Sequence, residues 1–399
     1  MWPYKPITTV FLLAPVVFSF ALALDVYMPV IPEMKSLLNT SKEMVQLTLS
    51  LFFLITGFGQ LILGPLSDAL GRYKVLITSV TLFLIGSILC ATASHIVPLI
   101  LYRIIQGIGA CGMSVTAFAI VRDVYHGKTS ALIYSLLNAM ISISPIIGPI
   151  IGVMLASFFP WHSVFYFLAI LGAITLCLML SFATDSLPAK KRKAFNFGVF
   201  SRYFRISRSL TFWAYTLPAI AGVSAFFTLF SMTPYIIQSL GEPRSAISFF
   251  FGLAGVAFLI GSLIAGGIVN KLGTFTTSYI GVSFILIAGL LLVVIDFAFG
   301  LSLWGFFGPC TLATFGCALT AGSGASGALE PFGEFPGAAA AMFGALQLGG
   351  SAVIGSIATL FPLNSSLPLG GTMLCTSVLS LILLSAHYCV INQRHQFGA

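Results

Sequence analysis

Runs of about twenty apolar residues recur along the whole chain, and each is long enough for an α-helix to cross the hydrocarbon core of a bilayer. Hydrophobic residues make up 58% of the 399 residues and charged residues only 7%, too much apolar surface for a water-soluble core. The runs lack the alternation of polar and apolar residues that transmembrane β-strands need. The sequence therefore predicts an all-α integral membrane protein.

Glycine, proline and charged residues divide these runs into twelve predicted spans. The spans lie near residues 7–32, 44–66, 74–93, 96–121, 131–157, 161–182, 210–238, 246–270, 274–297, 300–326, 337–362 and 366–391. A cytoplasmic N-terminus places most of the 18 Lys and Arg residues on the cytoplasmic side, as the positive-inside rule requires. We expect a multi-pass cell-membrane protein with both termini in the cytoplasm, in the inner membrane if the source is Gram-negative.

The chain reads as two similar halves. GPLSDALG at 64–71 and GGIVNKLG at 266–273 share Gly, Asp or Asn, Leu and Gly at equal spacing, and Met28-Pro29 is echoed by Thr233-Pro234. A basic connection at 183–209 separates them. We predict an N-terminal six-helix bundle (1–182), a cytoplasmic linker (183–209) and a C-terminal six-helix bundle (210–399), related by a pseudo-two-fold axis along the membrane normal.

Several other classes of function are disfavoured. The net charge of +8 comes from basic residues at the ends of apolar runs, which does not suit nucleic-acid binding. The seven cysteines lack C-x-x-C spacing, so no metal or redox site is expected, and neither is a cofactor.

No catalytic set of side chains converges at one depth, so the protein is not expected to be an enzyme. A phosphate-binding loop is absent too, which favours an ion gradient over ATP as the energy source. Ala21-Leu22-Ala23 could mimic a signal-peptide cleavage site, but the apolar stretch continues past it to Pro32.

Motifs along the chain carry a resemblance to a known family. GPLSDALGRYK (64–74) is similar to the signature of the loop between helices two and three of the major facilitator superfamily, and RIIQGIG (103–109) to its helix-four signature. SPIIGPIIG (144–152) resembles the helix-five signature of its antiporters, with Ser144 in place of a glycine. With LDVYMPVIP (24–32), WHSVF (161–165) and EPFGEFPG (330–337), the chain is most similar to the Bcr/CflA group of drug:proton antiporters. The resemblance implies the fold of that superfamily and proton-coupled export.

Asp25 is the acidic residue embedded in a span, and a charge at membrane depth is by default a functional candidate facing a cavity. Arg103 lies at a similar depth in the fourth span. The resemblance implies that helices one and four are neighbours, so the two could communicate directly or through Gln106 and water. An acid that is alternately buried alone and paired with Arg103 would change its proton affinity with conformation. Asp25, Arg103 and Gln106 are thus the predicted proton-coupling residues; a structural cap or a structural ion pair is the alternative.

The loop of residues 64–74 is the predicted cytoplasmic gate. Its glycines allow a tight turn, and its charged side chains can cap helix ends or form ion pairs. The resemblance implies that Asp68 pairs with Arg122. The gate residues are Gly64, Asp68, Gly71, Arg72 and Arg122; a plain turn with solvated charges is the alternative.

The fifth span carries a predicted hinge. Small residues recur every four positions on one face, which lets another backbone approach closely, and proline interrupts the hydrogen-bond ladder. The hinge residues are Ser144, Gly148, Pro149 and Gly152. Spacing alone equally fits generic helix packing, and the resemblance favours a hinge against helix eight.

Aromatic and amide side chains on helices one, five, seven and eleven are candidate walls of a substrate cavity: Tyr27, Asn138, Phe226, Phe227, Phe230, Tyr235 and Gln347. His387 reads as a buried structural histidine. The predicted function is proton-coupled export of small, lipophilic organic molecules by a monomer, with substrate, protons and the bilayer as partners. A dedicated metabolite or siderophore exporter, an importer, or a non-transporting receptor or scaffold on the same fold are the alternatives.

Overall fold

The computed structural model describes residues 2–188, 192, 198–243, 245–361 and 365–396, and within them the regular structure is helical, without strands. Most of the basic run at 190–193 therefore lies outside the described residues, as does Arg244. The α-helices are α1 (Pro6–Asp25), α2 (Ile31–Leu37), α3 (Lys42–Phe58), α4 (Gln60–Leu70), α5 (Arg72–Ala91), α6 (Ile96–Val124), α7 (Gly127–Phe158), α8 (Ser163–Phe182), α9 (Gly198–Ser207), α10 (Leu210–Ser239), α11 (Ser245–Phe299), α12 (Leu303–Leu329), α13 (Pro336–Ala345), α14 (Ser351–Thr359) and α15 (Leu367–Gln396). Short 3-10 turns follow α1 (Met28–Val30) and α12 (Glu330–Phe332), and a π turn (Leu346–Gly350) joins α13 to α14.

The number of membrane spans depends on how two breaks are counted. By length and apolar composition, ten helical segments of the described chain can cross a bilayer, and eleven can if α3 and α4, bent by 46°, form one span. The prediction of twelve differs in α11, whose 55 residues would extend about 80 Å, far more than one bilayer needs. Gly273 interrupts α11 with φ 82° and ψ 169°, so this element holds two helices, which correspond to the eighth and ninth predicted spans.

The two halves repeat a backbone feature. Gly71, between α4 and α5, has φ 96° and ψ 149°, close to the values at Gly273. This region of conformational space is essentially restricted to glycine. The two glycines are the ones that the sequence repeat places in register, so the local chain reversal is repeated along with the sequence.

The helices form two compact units by internal contacts: Met1–Asn196 with Arg244–Gly252 (unit 1), and Phe197–Pro243 with Leu253–Ala399 (unit 2). In unit 1, α1 packs against α6, α7 and α8. In unit 2, α10 packs against α12, α14 and α15. The first span of each half thus contacts the fourth, fifth and sixth spans of its own half, the pattern that parallel duplication requires. The domain borders at 182/183 and 209/210 stay a prediction.

Glycines hold α5 and α6 unusually close together. A Cβ at Gly86 would lie 2.6 Å from the backbone nitrogen of Gln106, and one at Gly109 would lie 2.6 Å from the carbonyl oxygen of Ser79. Neither distance is compatible with a real side chain, so both positions need glycine for this packing. This contact fixes the part of α6 that carries Arg103 and Gln106.

Candidate functional site

Helix α1 ends at Asp25 because proline follows four residues later. Pro29 has no N–H to donate to the Asp25 carbonyl, so the helical hydrogen-bond ladder cannot continue. The chain tightens instead, and the N–H of Tyr27 donates to the carbonyl of Leu24 (3.2 Å). In a continuing α-helix that N–H would donate to Ala23. The Ala23 carbonyl is thereby left available to a side chain from another helix.

Arg103 of α6 binds this carbonyl. Its Nη1 donates to the oxygen of Ala23 (3.1 Å) and to Oε1 of Gln106 (2.6 Å), and its Nε donates to the carbonyl of Thr48 (3.4 Å). Gln106 in turn donates from Nε2 to Oγ of Ser87 (2.8 Å). Arg103 and Gln106 are both fully buried. The two predicted residues therefore belong to one hydrogen-bonded network that joins α1, α3, α5 and α6.

Aromatic rings surround the rest of the guanidinium group. Its central carbon lies 4.9 Å from the ring centroid of Tyr27, 4.3 Å from that of Phe52 and 5.8 Å from that of Phe165. Rings at these distances stabilise a cation through their electron-rich faces. No carboxylate in the described part of the chain forms an ion pair with Arg103, and its Nη2 has no hydrogen-bond partner there. Ring quadrupoles and carbonyl dipoles thus stand in for a counter-ion.

The Asp25 side chain is directed to α7. Oγ of Ser144 donates a hydrogen bond to Oδ2 of Asp25 at 2.6 Å, and Asp25 is only 7% exposed. Within the described residues Asp25 forms no ion pair. A direct contact between Asp25 and Arg103, one of the two expected arrangements, is not formed: Arg103 binds the backbone of α1, and the carboxylate binds a hydroxyl group.

The small-residue face of α7 packs against the end of α1. A Cβ at Gly148 would overlap the Cβ of Asp25 and stand 3.1 Å from its carbonyl carbon, and one at Gly152 would lie 3.0 Å from Cγ of Pro29. The predicted close approach is present against the first helix, and the hinge against the eighth stays a prediction. A separate link reaches the start of α11, where Oγ of Ser248 donates to the carbonyl of Pro149 (3.3 Å).

A second buried charge lies at the other end of unit 1. Arg72 is 2% exposed, pairs through Nη2 with Asp68 one turn earlier, and donates from Nε to Oδ2 of Asp123 at the end of α6 (2.8 Å). Its Nη1 donates to Oγ of Ser67 (2.9 Å). Asp68 thus pairs with Arg72, and the pair with Arg122 that the resemblance implied is not formed. Arg122 is exposed, and its neighbour in the sequence provides the bridging carboxylate.

Asp185, which follows α8, is a site residue that sequence reasoning missed. Its Oδ1 accepts from the backbone N–H groups of Arg72 (3.1 Å) and Leu187 (3.0 Å), and its Oδ2 accepts from Nη2 of Arg192 (2.8 Å). It therefore caps α5 from outside, because the N-cap residue of that helix is Gly71, which has no side chain to do so. An acid just before the basic run at 190–193 was the available signal.

Only one of the two loop glycines makes the predicted turn. Gly71 has the positive φ, and a Cβ there would overlap Oδ2 of Asp185 and stand 2.8 Å from Nη2 of Arg192. Gly64 lies inside α4, where a Cβ would meet nothing within 4 Å. The tight turn thus consists of Gly71 alone, and α4 continues the second span up to it.

The candidate cavity residues are divided between the two units. Tyr27 is fully buried and belongs to the Arg103 site, with its hydroxyl 2.9 Å from Oγ1 of Thr48. Asn138 of α7 is exposed and donates to the carbonyl of its own helix four residues earlier. The remaining five lie in unit 2: Phe226, Phe227, Phe230, Tyr235 and Gln347.

Among those five, the aromatic rings pack within the unit. The ring centroids of Phe226 and Phe230 are 4.3 Å apart, and Phe226 also stacks near Phe258 at 5.7 Å. Phe227 is 2% exposed and lies against α14, where a Cβ at Gly355 would overlap its ring. Gln347 is half-buried in the π turn between α13 and α14. The role of these five residues as cavity walls stays a prediction.

Comparison with known proteins identifies the family. Residues 13–359 match the sequence profile of the Major Facilitator Superfamily. The chain belongs to this superfamily. It is 31% identical to a chloramphenicol resistance protein of Pseudomonas aeruginosa over 96% of this chain and 90% of that protein. It is 28% identical to multidrug resistance protein D of Escherichia coli (strain K12) over 88% of each chain. A crystal structure of a mutant peptide transporter, POT, in complex with alafosfalin shares the fold with a TM-score of 0.76 at 14% identity, over 96% of this chain and 94% of that one.

Proposed function

We propose that this superfamily member exports small organic molecules of the antibiotic and lipophilic-dye type, in exchange for protons that enter the cell. The names of its relatives, a chloramphenicol resistance protein and a multidrug resistance protein, support this cargo class. We place the protein in the cell membrane with both termini in the cytoplasm, on the basis of the distribution of Lys and Arg. We propose that it acts as a monomer. One proton moving through 100 mV supplies about 2.3 kcal/mol, enough for roughly a fifty-fold gradient of cargo.

The observation that carries the proposal is the environment of Asp25. Its carboxyl group is buried, accepts a hydrogen bond from a neutral hydroxyl, and has no cationic partner within the described residues. A carboxylate without a cation is costly in a low-dielectric interior, so binding a proton relieves that cost. Such a group can load and unload a proton when its surroundings change.

The change of surroundings in our proposal involves Arg103. Its Nη2 is buried with no partner among the described residues, and its Nη1 binds the Ala23 carbonyl, two residues before Asp25 in the chain. A rearrangement at the end of α1 that brings the Asp25 carboxylate to Nη2 would favour the charged form of Asp25 and release its proton. Asp25 binds its proton in a conformation away from Arg103 and releases it in a conformation beside Arg103.

The cluster around Arg72 is the proposed cytoplasmic gate. It ties the start of α5 to the ends of α4 and α6 through Asp68 and Asp123, and to the start of the linker through Asp185. Charged groups at helix ends can exchange partners as helices move, which suits a latch. The substrate cavity is proposed to include Phe226, Phe227, Phe230, Tyr235 and Gln347 from the second half.

Proteoliposomes with an imposed pH gradient test the function. Purified protein is assayed with a panel of antibiotics and dyes that includes chloramphenicol, and both cargo movement and cargo-induced proton release are recorded. Asp25→Asn should lose gradient-driven transport and proton release while cargo exchange at equal pH persists, because asparagine resembles the protonated acid. Glu43→Gln, a matched change at an exposed acid of α3, should behave as wild type.

Two outcomes would contradict the proposal. Gradient-driven transport at the wild-type rate in Asp25→Asn would remove this residue from proton coupling. A wild-type protein that moves none of the panel, although it folds and inserts, would favour a receptor or scaffold function instead.

A further inference from the structure

We propose that Ser144 is a positioning residue that makes the proton binding of Asp25 depend on the position of α7. This inference rests on the proposed function and deepens it. In the packed arrangement the Ser144 hydroxyl stabilises the Asp25 carboxylate, and separation of α7 from α1 removes that stabilisation. Movement of one helix is thereby converted into uptake of a proton by a residue on another.

The direction of the Ser144 hydroxyl is the first observation. Serine hydroxyls inside helices commonly donate to a carbonyl four residues earlier in their own helix. Two other serines of α7 do so: Ser142 donates to Asn138 (3.0 Å) and Ser157 donates to Val153 (2.7 Å). Ser144 donates across to Oδ2 of Asp25 on α1, at 2.6 Å. The Ser144 hydroxyl therefore bonds a side chain of α1 instead of a carbonyl of its own helix.

Helix packing is the second observation. A serine side chain is short, so it reaches another helix only where the two backbones are close. Gly148 and Gly152, one and two turns beyond Ser144, provide that closeness by contacting Asp25 and Pro29 directly. Ser144 is itself fully buried, so water does not compete for the hydroxyl in this arrangement. Because one face of α7 holds both the contact and the donor, the hydrogen bond exists only while the face is in place.

The other ionisable groups near Asp25 do not substitute for this hydrogen bond. Helix α6 contributes Arg103, which binds backbone, and the segment after α1 contributes Tyr27, whose hydroxyl is 2.9 Å from Thr48. Helix α8 carries only exposed ionisable side chains, and the part of α11 within unit 1 carries none among its described residues. The exposed ones on α8 are Tyr166 and Cys177.

Infrared titration of the purified full-length protein in lipid vesicles tests the inference, with protons as the only ligand. The carboxyl band that Asp25→Asn removes is followed against pH in the wild type and in Ser144→Ala. Loss of one hydrogen bond to a charged group should move the midpoint about one to two pH units to higher pH. Ser144→Cys, a weaker donor, should give a smaller shift. Ser142→Ala, on the same helix, should give none. The pH profile of transport should move in the same order.

The outcomes separate this inference from the proposed function. If the wild type shows a titrating band that Asp25→Asn removes, but Ser144→Ala leaves its midpoint unchanged, Ser144 is a packing residue and only this inference fails. If Asp25→Asn removes no titrating band, both fail. A shift of equal size in Ser142→Ala would show a general effect of loosening α7, and would also overturn the inference.

Discussion

Replacing Gly148 by alanine adds a single methyl group at the point where α7 meets Asp25. That methyl would overlap the Asp25 Cβ and stand 3.1 Å from its carbonyl carbon and 3.3 Å from its Cα, whereas non-bonded carbon atoms rest at about 3.5–4.0 Å. The helices must separate by about 1 Å to accommodate it. The hydrogen bond from Ser144, now 2.6 Å, would then exceed about 3.5 Å and cease to be one. Overpacking of this kind typically destabilises by about 1–3 kcal/mol.

Thermal unfolding in detergent and transport against pH measure the two consequences. We expect Gly148→Ala to unfold at a lower temperature than the wild type and to lose most gradient-driven transport, with the residual activity displaced to higher pH. Gly308→Ala is the control, because a Cβ there meets nothing within 4 Å and alanine favours a helix. Wild-type unfolding temperature and wild-type transport in Gly148→Ala would refute the argument that α7 and α1 are in contact at Asp25.

Two further substitutions probe the loops that follow the second and eighth predicted spans. Arg72→Gln should destabilise unit 1 by about 3–5 kcal/mol, because it leaves the carboxylate of Asp123, which is only 14% exposed, without its cation. The unfolding temperature measures this loss of stability. Arg202→Gln, at an exposed site of α9, is the control and should have little effect. Gly273→Ala should lower the free energy of unfolding by about 1–3 kcal/mol, because alanine is strained at this positive φ although there is space for its methyl group. Gly266→Ala, at a helical position with equal space, is the control. An unfolding temperature of Gly273→Ala no lower than that of the control would contradict the prediction.

The membrane architecture was predictable because lipid imposes a simple rule on sequence. Every span needs an apolar run, and the apolar runs gave helices close to the predicted positions. The breaks within spans were harder to place. Gly59 bends the second span, and a 3-10 turn after Asp25 extends the first into α2. Such bends depend on which carbonyls find donors from neighbouring helices, and that information is absent from a single hydrophobic run.

Some members of the candidate site were predictable from the sequence, but their pairings were not. Asp25 and Arg103 were identifiable because charges inside apolar runs are expensive. Their positions along the helices placed Asp25 and Arg103 at one depth. They could not show that Ser144 would donate to Asp25, or that Arg103 would donate to the carbonyl of Ala23. Asp123 was missed because an acid at a helix end is ordinarily solvated. Only packing of α5 against α6 makes it a partner of a buried arginine.

The guanidinium group enclosed by three aromatic rings gives the interior of unit 1 a permanent positive charge. While Asp25 is neutral, no ion pair among the described residues offsets that charge, and a medium of low dielectric constant transmits its field further than water would. In the proposed mechanism, protonation of Asp25 therefore makes the bundle repel positively charged cargo, and deprotonation lets the bundle accept it. A proton and a cation can then exclude each other without competing for the same atoms, whereas a neutral molecule escapes this electrical sorting.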